Sequence, residues 1–152
     1  MPIFTGLFVH TLDDKGRLIL PAKFRLLLGE TFYLTKGIGG CVFLFPEDAW
    51  RQLAEQLTKL SFFDKNAVIL QRLLVGGAEA VSCDKQGRLA IPVSLREYAG
   101  LKENSDAVVM GIGNRIEIWS KERWDKFEEE LTPEEIAKAA EKLGFLETRP
   151  LL

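Results

Sequence analysis

Residues 13–29 read Asp-Asp-Lys-Gly-Arg-Leu-Ile-Leu-Pro-Ala-Lys-Phe-Arg-Leu-Leu-Leu-Gly, and residues 84–100 read Asp-Lys-Gln-Gly-Arg-Leu-Ala-Ile-Pro-Val-Ser-Leu-Arg-Glu-Tyr-Ala-Gly. At this offset of 71, seven of the 17 positions are identical, whereas unrelated segments would share roughly one. The identical pairs are Asp13/Asp84, Gly16/Gly87, Arg17/Arg88, Leu18/Leu89, Pro21/Pro92, Arg25/Arg96 and Gly29/Gly100. The two segments are therefore copies that arose by internal duplication.

The similarity continues past these segments at a larger offset. Gly37-Ile38-Gly39 recurs as Gly111-Ile112-Gly113, and Trp50 recurs as Trp124, both at an offset of 74. The three extra residues fall in the polar stretch at residues 102–105, where a longer loop costs little free energy. The duplication thus covers most of the chain.

Each copy has the residue pattern of short strands around a short helix. In the first copy, residues 13–16 carry a tight-turn signal between two apolar runs. Pro21 suits the first position of a helix over residues 22–28, which Gly29 ends. The predicted strands lie at residues 7–12, 17–20, 32–36 and 41–45.

Helices are predicted between and after the two copies. The first begins around residues 46–48, and its apolar side chains share one face, at Trp50, Leu53, Leu57 and Leu60. A second helix runs from Asp64, as N-cap, to Gly76. After the second copy, Ser120 caps one helix, and Thr132 begins a capping-box helix that Gly144 ends. Most of the large aromatic side chains are expected in the core or in a subunit interface.

A strand pair this short cannot bury one face alone, so the two copies are expected to pair with each other. Pairing places Arg17 and Arg88 at related positions about a pseudo-twofold axis, an arrangement that suits a DNA duplex. The expected fold is mainly β with helices (α+β), in which two tandem modules pair within the chain about a pseudo-twofold axis. The predicted segments are a first module at 7–50, a helical linker at 51–80, a second module at 81–124 and a helical tail at 125–152.

The composition is that of a globular protein. Hydrophobic residues make up 47% and charged residues 28% of the chain, and no apolar run approaches the ~20 residues of a membrane span. Cys41 and Cys83 match no metal-ligand spacing, and no nucleophile–base pair or nucleotide motif occurs. We therefore expect no enzyme activity, cofactor, metal, small-molecule substrate or membrane partner, and a cytoplasmic location.

The repeated motif Asp-x-x-Gly-Arg-Leu-x-Ile/Leu-Pro-x-x-Leu/Phe-Arg is similar to that of the AbrB/SpoVT swapped-hairpin DNA-binding fold. This resemblance implies that the two modules form one intramolecular pseudo-twofold barrel of the double-psi/swapped-hairpin type, with linker and C-terminal helices added. Two copies in about 150 residues, each followed by a Gly-Ile-Gly hairpin and a tryptophan, resemble the MraZ family. The resemblance extends from Leu7 to Trp124. It implies a bacterial transcriptional regulator that binds repeated sites upstream of the division and cell-wall gene cluster, which contains its own gene. Such regulators usually repress that cluster, as ring-shaped homo-oligomers at the nucleoid.

The resemblance also assigns roles to individual residues. The family's Asp-x-x-x-Arg element falls on Asp13 with Arg17 and on Asp84 with Arg88, which implies that the two arginines contact double-stranded DNA. The carboxylates are expected to orient the arginines, because a carboxylate that faced phosphates would be repelled. The candidate DNA-binding residues are Arg17, Lys15, Arg88, Lys23, Arg25 and Arg96, and the turn-orienting residues are Asp13, Asp84, Gly16 and Gly87.

The second pair of repeated arginines has two open interpretations. Arg25 and Arg96 stand near the end of the short helix, where a cation is favoured. Each could form a structural ion pair or contact a phosphate directly. The first copy also keeps Lys15 and Lys23, which are Gln86 and Ser94 in the second copy. Lys85 replaces Asp14 and offsets that difference in charge. The sequence therefore leaves open which copy contributes more to DNA contact.

The distribution of charge supports DNA binding only in part. The net charge is −2, although residues 13–36 carry five basic and three acidic side chains and residues 84–102 carry four and two. Residues 121–149 carry six basic and nine acidic side chains. A weakly basic face indicates weak binding per subunit, strengthened when several subunits engage repeated sites. The negative net charge of the whole chain favours an alternative function. In that alternative the protein is an oligomeric protein-interaction scaffold of the same fold without sequence-specific DNA binding.

Overall fold

A computed structural model describes residues 3–145 of the chain. Two compact units divide the chain, residues 1–121 and residues 122–152. The first unit contains both copies of the duplicated segment and the helices between them. Of the predicted C-terminal tail, residues 146–152 lie outside the described residues.

The first unit follows the predicted order of elements in both copies. The first copy comprises strands β1 (Phe4–Thr11) and β2 (Arg17–Ile19), helix α1 (Ala22–Leu28), and strands β3 (Phe32–Lys36) and β4 (Val42–Pro46). Between the copies lie α2 (Glu47–Thr58) and α3 (Lys65–Leu70), the latter continued by a π-helical turn (Gln71–Val75). The second copy comprises β5 (Glu79–Val81), β6 (Arg88–Ala90), α4 (Val93–Ala99), β7 (Asp106–Gly113) and β8 (Arg115–Ser120). The α+β expectation is confirmed.

The short helix of each copy begins directly after its proline. Pro21 has φ −54° and ψ 138°, so it precedes α1 instead of occupying the first helical position as predicted. Its carbonyl accepts hydrogen bonds from the backbone N–H of Phe24 and Arg25. Gly29 ends the helix at φ 80°, a backbone conformation that glycine adopts without steric cost.

The two copies exchange their first strands. The six-stranded sheet has the order β1-β7-β8-β4-β3-β5, and β2 and β6 form a separate two-stranded sheet. The first strand of each copy therefore pairs with the third strand of the other. Leu18 faces Leu89 in the β2–β6 pair, and Phe43 faces Glu117 in the β4–β8 pair. Because equivalent residues face each other in both pairs, the predicted pseudo-twofold relation between the copies is confirmed.

One apolar core is shared by the two copies. Its fully buried side chains come from both of them, at Leu12, Leu18, Leu20, Phe24, Leu34, Leu44, Leu89, Ile116 and Ile118. An isolated two-stranded hairpin, such as β3–β4 or β7–β8, is at best marginally stable in water. The duplication supplies the second half of the core within the same chain.

The helices between the copies cover the outer side of β4. Trp50, Leu57 and Leu74 form a second apolar cluster with Phe43 and Phe45. The prediction that Leu60 shares the buried face was wrong, because α2 ends at Thr58 and Leu60 is 45% exposed. The Asp64 cap is confirmed: its carboxylate accepts from the backbone N–H of residues 66 and 67.

Two helices make up most of the described part of the second unit: α5 (Lys121–Glu130), which begins one residue before that unit, and α6 (Pro133–Lys142). The predicted cap of the last helix is confirmed, since the Thr132 hydroxyl accepts from the backbone N–H of Glu135. Gly144 follows the helix with φ 77°. Within residues 3–145, every helix falls short of the length and apolar character that crossing a membrane requires.

Candidate nucleic-acid interface

Each copy places a tight turn between its first two strands, and an aspartate holds the turn together. In the first copy, one oxygen of the Asp13 carboxylate accepts hydrogen bonds from the backbone N–H of Lys15 (2.9 Å) and Arg17 (2.8 Å). The backbone N–H of Gly16 donates to the carbonyl of Asp13 (3.1 Å), with Gly16 at φ 73°. The turn therefore depends on a carboxylate at its first position and a glycine at its fourth.

The same aspartate orients the arginine that follows the turn. Arg17 Nε donates to the second oxygen of Asp13 at 2.7 Å, and Arg88 Nε donates to Asp84 at the same distance. Within residues 3–145, no protein group accepts a hydrogen bond from the terminal Nη atoms of either arginine. Each guanidinium is thus fixed on one side and keeps its outer pair of donors available.

These bonds also keep the two aspartates ionised. The pKa of Asp13 is lowered to about 2. The largest cause is the hydrogen bond from the backbone N–H of Arg17, and the hydrogen bond from the Arg17 guanidinium lowers the pKa further. The pKa of Asp84 is lowered, with the backbone N–H of Arg88 as the largest cause. Each arginine therefore has a charged partner throughout the neutral range.

The two arginines lie on one exposed face of the β2–β6 ribbon. Arg17 faces Ala90 and Ile19 faces Arg88, while the central pair, Leu18 and Leu89, is fully buried on the opposite face. Ile19 is 49% exposed, and the two arginine side chains are about a quarter exposed, at 27% and 29%. The turns lie at opposite ends of this antiparallel ribbon. On this surface the two arginines lie diagonally opposite each other, and Ile19 and Ala90 occupy the other diagonal.

Each turn is braced by the other copy. The backbone N–H of Ile91 donates to the Gly16 carbonyl at 3.2 Å, and that of Leu20 donates to the Gly87 carbonyl at 3.1 Å. The Arg96 guanidinium lies directly over Gly16, so that a Cβ built there would come within 2.5 Å of it. Arg25 covers Gly87 with the same spacing. Both turn glycines are required by close packing as well as by positive φ.

Arg25 and Arg96 are held in this position by the carbonyls at the ends of the ribbon strands. Arg25 Nε donates to Leu20 (3.1 Å), and Arg96 Nε donates to Ile91 (2.9 Å). Arg96 also forms an ion pair with Glu103 at 3.6 Å. For Arg25, the described part of the chain offers no acidic partner. The structure thus shows the two arginines packed against the opposite turn, while phosphate contact by either stays a prediction.

The predicted lysines lie in different surroundings. Lys15 is exposed in the first turn, at the position that Gln86 occupies in the second. The Lys23 ammonium lies over the aromatic rings of Phe8 (5.2 Å) and Phe24 (5.6 Å), an arrangement that a cation and aromatic faces favour. Contact of either lysine with DNA stays a prediction.

Two features of this surface were not predicted from the sequence. One is the apolar pair Ile19 and Ala90 between the arginines. The other is the packing of Arg25 and Arg96 over the opposite glycines. A signal for the second existed, because both arginines and both glycines are among the identical positions of the duplication. The sequence did not indicate that the contact crosses between copies.

Comparisons with known proteins agree with the duplicated architecture. The family model described as "MraZ protein, putative antitoxin-like" matches twice in tandem, at residues 3–73 and 74–146. A "Transcriptional regulator MraZ" of Heliobacterium modesticaldum is 45% identical over 138 residues, which cover 90% of this chain and 95% of the relative. One of Halothermothrix orenii, with the same name, is 44% identical over 145 residues, which cover 94% of this chain and all of the relative.

Proposed function

This chain belongs to the MraZ family, and from that premise we propose that it regulates transcription by sequence-specific binding of double-stranded DNA. In the proposal, the exposed face of the β2–β6 ribbon meets the duplex, and Arg17 and Arg88 contact it. The observation that carries the proposal is the pair of arginines, each fixed by an aspartate and related by the pseudo-twofold axis.

The shape of the ribbon supports this contact. The major groove of B-DNA admits a two-stranded β-ribbon, and the β2–β6 pair has one face turned to solvent. A duplex presents related backbone geometry on both sides of a local dyad. A pseudo-twofold ribbon can therefore place both of its arginines in equivalent surroundings within one groove.

The hydrogen bonds of the arginines support it as well. The Asp13 carboxylate engages Arg17 Nε and leaves two Nη groups that can donate in parallel. A guanidinium presented in this way matches the O6 and N7 acceptors of guanine, or two phosphate oxygens. Because the aspartate fixes the side chain beforehand, little conformational entropy is lost when DNA binds.

The modest charge of the surface fits an assembly better than a single subunit. Lys15 and Lys85 are exposed in the turns, while Asp14 is exposed beside Lys15, so the local excess of positive charge is small. Weak individual contacts become strong when several linked subunits bind repeated sites. We therefore include in the proposal a ring-shaped homo-oligomer at the nucleoid of the cytoplasm. It represses the division and cell-wall gene cluster that contains its own gene.

The test is fluorescence anisotropy on a duplex from upstream of the protein's own gene and on a scrambled duplex of equal composition, across a salt series. Arg17→Ala and Arg88→Ala are compared with Arg51→Ala. Arg51 forms the same type of i,i+4 ion pair with Glu47, at 2.8 Å, but on the exposed side of α2. Size-exclusion chromatography checks that each variant keeps the oligomeric state of the native protein.

The expected result is a preference for the upstream duplex that each ribbon variant weakens by about tenfold or more, with Arg51→Ala close to native. Equal binding of both duplexes by the native protein would contradict sequence-specific regulation and favour the protein-interaction scaffold. Undiminished binding by both ribbon variants would remove the arginines from the interface.

A further inference from the structure

We propose that Ile19 reads the 5-methyl group of thymine, so that the two halves of the ribbon have different base preferences. The inference rests on the proposed function and deepens it, because it assigns a specificity-determining residue to the same surface. A single exposed apolar side chain is ordinary on a protein surface. The position of Ile19 among the two oriented arginines is the reason to assign it a role.

The register of the ribbon places Ile19 where a base edge would lie. Ile19 faces Arg88 across the β2–β6 pair, and its side chain is 49% exposed on the same face as both arginines. Side chains that face each other across antiparallel strands have Cβ atoms about 4.5–5.5 Å apart, and successive base pairs are about 3.4 Å apart. When Arg88 contacts one base pair, Ile19 therefore lies against that base pair or the next one.

The chemistry of the side chain selects the feature that it contacts. Ile19 has no hydrogen-bonding group, whereas most of the major-groove edge consists of donors and acceptors. The exception is the C5 methyl group of thymine, which makes apolar contacts with side chains. An isoleucine against a purine edge or the amino group of cytosine would cover a polar group without replacing its hydrogen bonds to water.

The second copy lacks the equivalent group. Position 90 corresponds to position 19 and carries alanine, which faces Arg17 on the same exposed surface. Alanine reaches outward by a single carbon, so the half of the ribbon beside Arg17 makes little apolar contact. The pseudo-symmetric protein is thereby expected to prefer an asymmetric site, with thymine favoured in the half that Arg88 contacts.

The experiment compares the upstream duplex with the same duplex in which deoxyuridine replaces every thymidine. This replacement removes the methyl groups and leaves the hydrogen-bonding edges unchanged. The proteins are the native chain, Ile19→Ala, which gives both halves alanine, and Val93→Ala as the control. Val93 is 57% exposed on α4 and lies outside the two strands of the ribbon, so this variant tests the removal of an exposed apolar side chain that is not on the ribbon face.

The native protein is expected to bind the uridine duplex about fourfold more weakly, the effect of one buried methyl group. Ile19→Ala is expected to bind both duplexes equally, and Val93→Ala to keep the native difference. A native protein that prefers upstream to scrambled DNA but binds thymidine and uridine forms equally would overturn this inference alone. So would an Ile19→Ala variant that keeps the native difference. Absence of any preference for upstream DNA would overturn the proposed function and this inference with it.

Discussion

The two copies present similar side chains to the shared core and different ones to the other side of the sheet. On the inner side, Val42 and Leu44 in β4 correspond to Ile116 and Ile118 in β8, and all four are fully buried. On the outer side, the second copy replaces the apolar side chains of β4 and of the residue before it with two charged groups and a tryptophan. The corresponding pairs are Cys41/Arg115, Phe43/Glu117 and Phe45/Trp119.

The outer side of β8 is stabilised by a polar network. Glu117, only 7% exposed, accepts from Arg115 Nε (3.1 Å) and Nη2 (2.9 Å) and from Trp119 Nε1 (2.9 Å). The Arg115 guanidinium in turn lies 4.9 Å from the centre of the Phe43 ring. Burial, together with the charge of Glu117, raises the pKa of Cys41 to about 12. A buried carboxylate requires partners of this kind, because unpaired burial of a charge is very unfavourable.

The comparison shows which residues the duplicated fold constrains. Side chains near the pseudo-twofold axis meet the other copy, so both copies must keep compatible shapes there. Side chains on the outer face meet whichever element packs locally, and α2 packs on the outer side of β3 and β4. The outer faces were therefore free to diverge, whereas the turns and the inner faces were not.

The largest expected difference between the copies is in the role of the repeated tryptophan. Trp50 is 7% exposed and stacks on Tyr33, with ring centroids 5.2 Å apart. Trp124 is half-buried and contacts Phe127 within its helix. We expect Trp50→Ala to lower the free energy of unfolding by about 3–5 kcal/mol and Trp124→Ala by about 1 kcal/mol. Urea denaturation followed by circular dichroism measures both, and equal losses would show that the two tryptophans are equivalent.

The next largest effect concerns the turn glycines. Gly16→Ala places a side chain at positive φ, costing about 1–2 kcal/mol, and displaces Arg96 from its hydrogen bond, costing about 1 kcal/mol more. Gly87→Ala displaces Arg25 and should cost slightly less, because Arg96 alone also pairs with Glu103. Thermal denaturation of both variants measures these losses.

A control separates backbone strain from the contact between copies. Gly113 has φ 69°, and a Cβ there would meet no atom of the described residues within 4 Å. Gly113→Ala should therefore show the cost of positive φ alone. In an Arg96→Ala background, the cost of Gly16→Ala should fall to that same value. An unchanged cost in that background would mean that Arg96 does not brace the turn.

A smaller effect is expected from exchanging the polar residues of the turns. Lys15 and Gln86 occupy equivalent exposed positions. If Lys15 contacts a phosphate, Lys15→Gln should reduce the slope of log affinity against log salt by about 0.9, and Gln86→Lys should increase it by a similar amount. Anisotropy titrations on the upstream duplex measure the slope. A slope that neither exchange changes would place this position of both turns away from the backbone of the DNA.

The smallest effect concerns the ionisation of the turn aspartates. Because the folded-state pKa of Asp13 is about 2 and the ordinary pKa of an aspartate is 3.8, its contribution to stability is complete above pH ~4 and is lost as the pH falls toward 2. Arg17→Ala should raise this pKa only in part, since the largest cause is the backbone N–H of Arg17, which the variant keeps. Carbon-13 NMR of the side-chain carboxyl group measures the shift. Asp84 serves as the internal control, and its pKa should not change in this variant.

Much of the local structure could be predicted from the sequence. The bounds of α1, the hairpin between β3 and β4, and the caps at Asp64 and Thr132 follow from signals within a few residues. Leu60 was misplaced because periodicity does not indicate where a helix ends. In the structure, Gln71 donates to the carbonyl of Leu57 in the last turn of α2 and to the carbonyl of Leu60 beyond the helix. That side chain comes from the π-helical turn, which no local pattern indicated.

The residues of the candidate site were likewise predicted only in part from the sequence. Arg17, Arg88 and their aspartates were found because the duplication repeats them four residues apart. Ile19 was missed because an isoleucine in a short apolar run is expected to be buried, and its neighbours Leu18 and Leu20 are buried completely. Only the pairing of β2 with β6 turns this position toward solvent.

The sequence by itself determined the duplication, the turn chemistry and the order of elements, because these depend on hydrogen bonds and backbone preferences between near neighbours. The tertiary structure decided which strands pair, that each copy lends its first strand to the other, and that Arg25 and Arg96 cover the opposite turns. The contacts between the copies join residues from 45 to 109 positions apart. They are selected by the burial of one shared core, which neither copy can complete from its own residues.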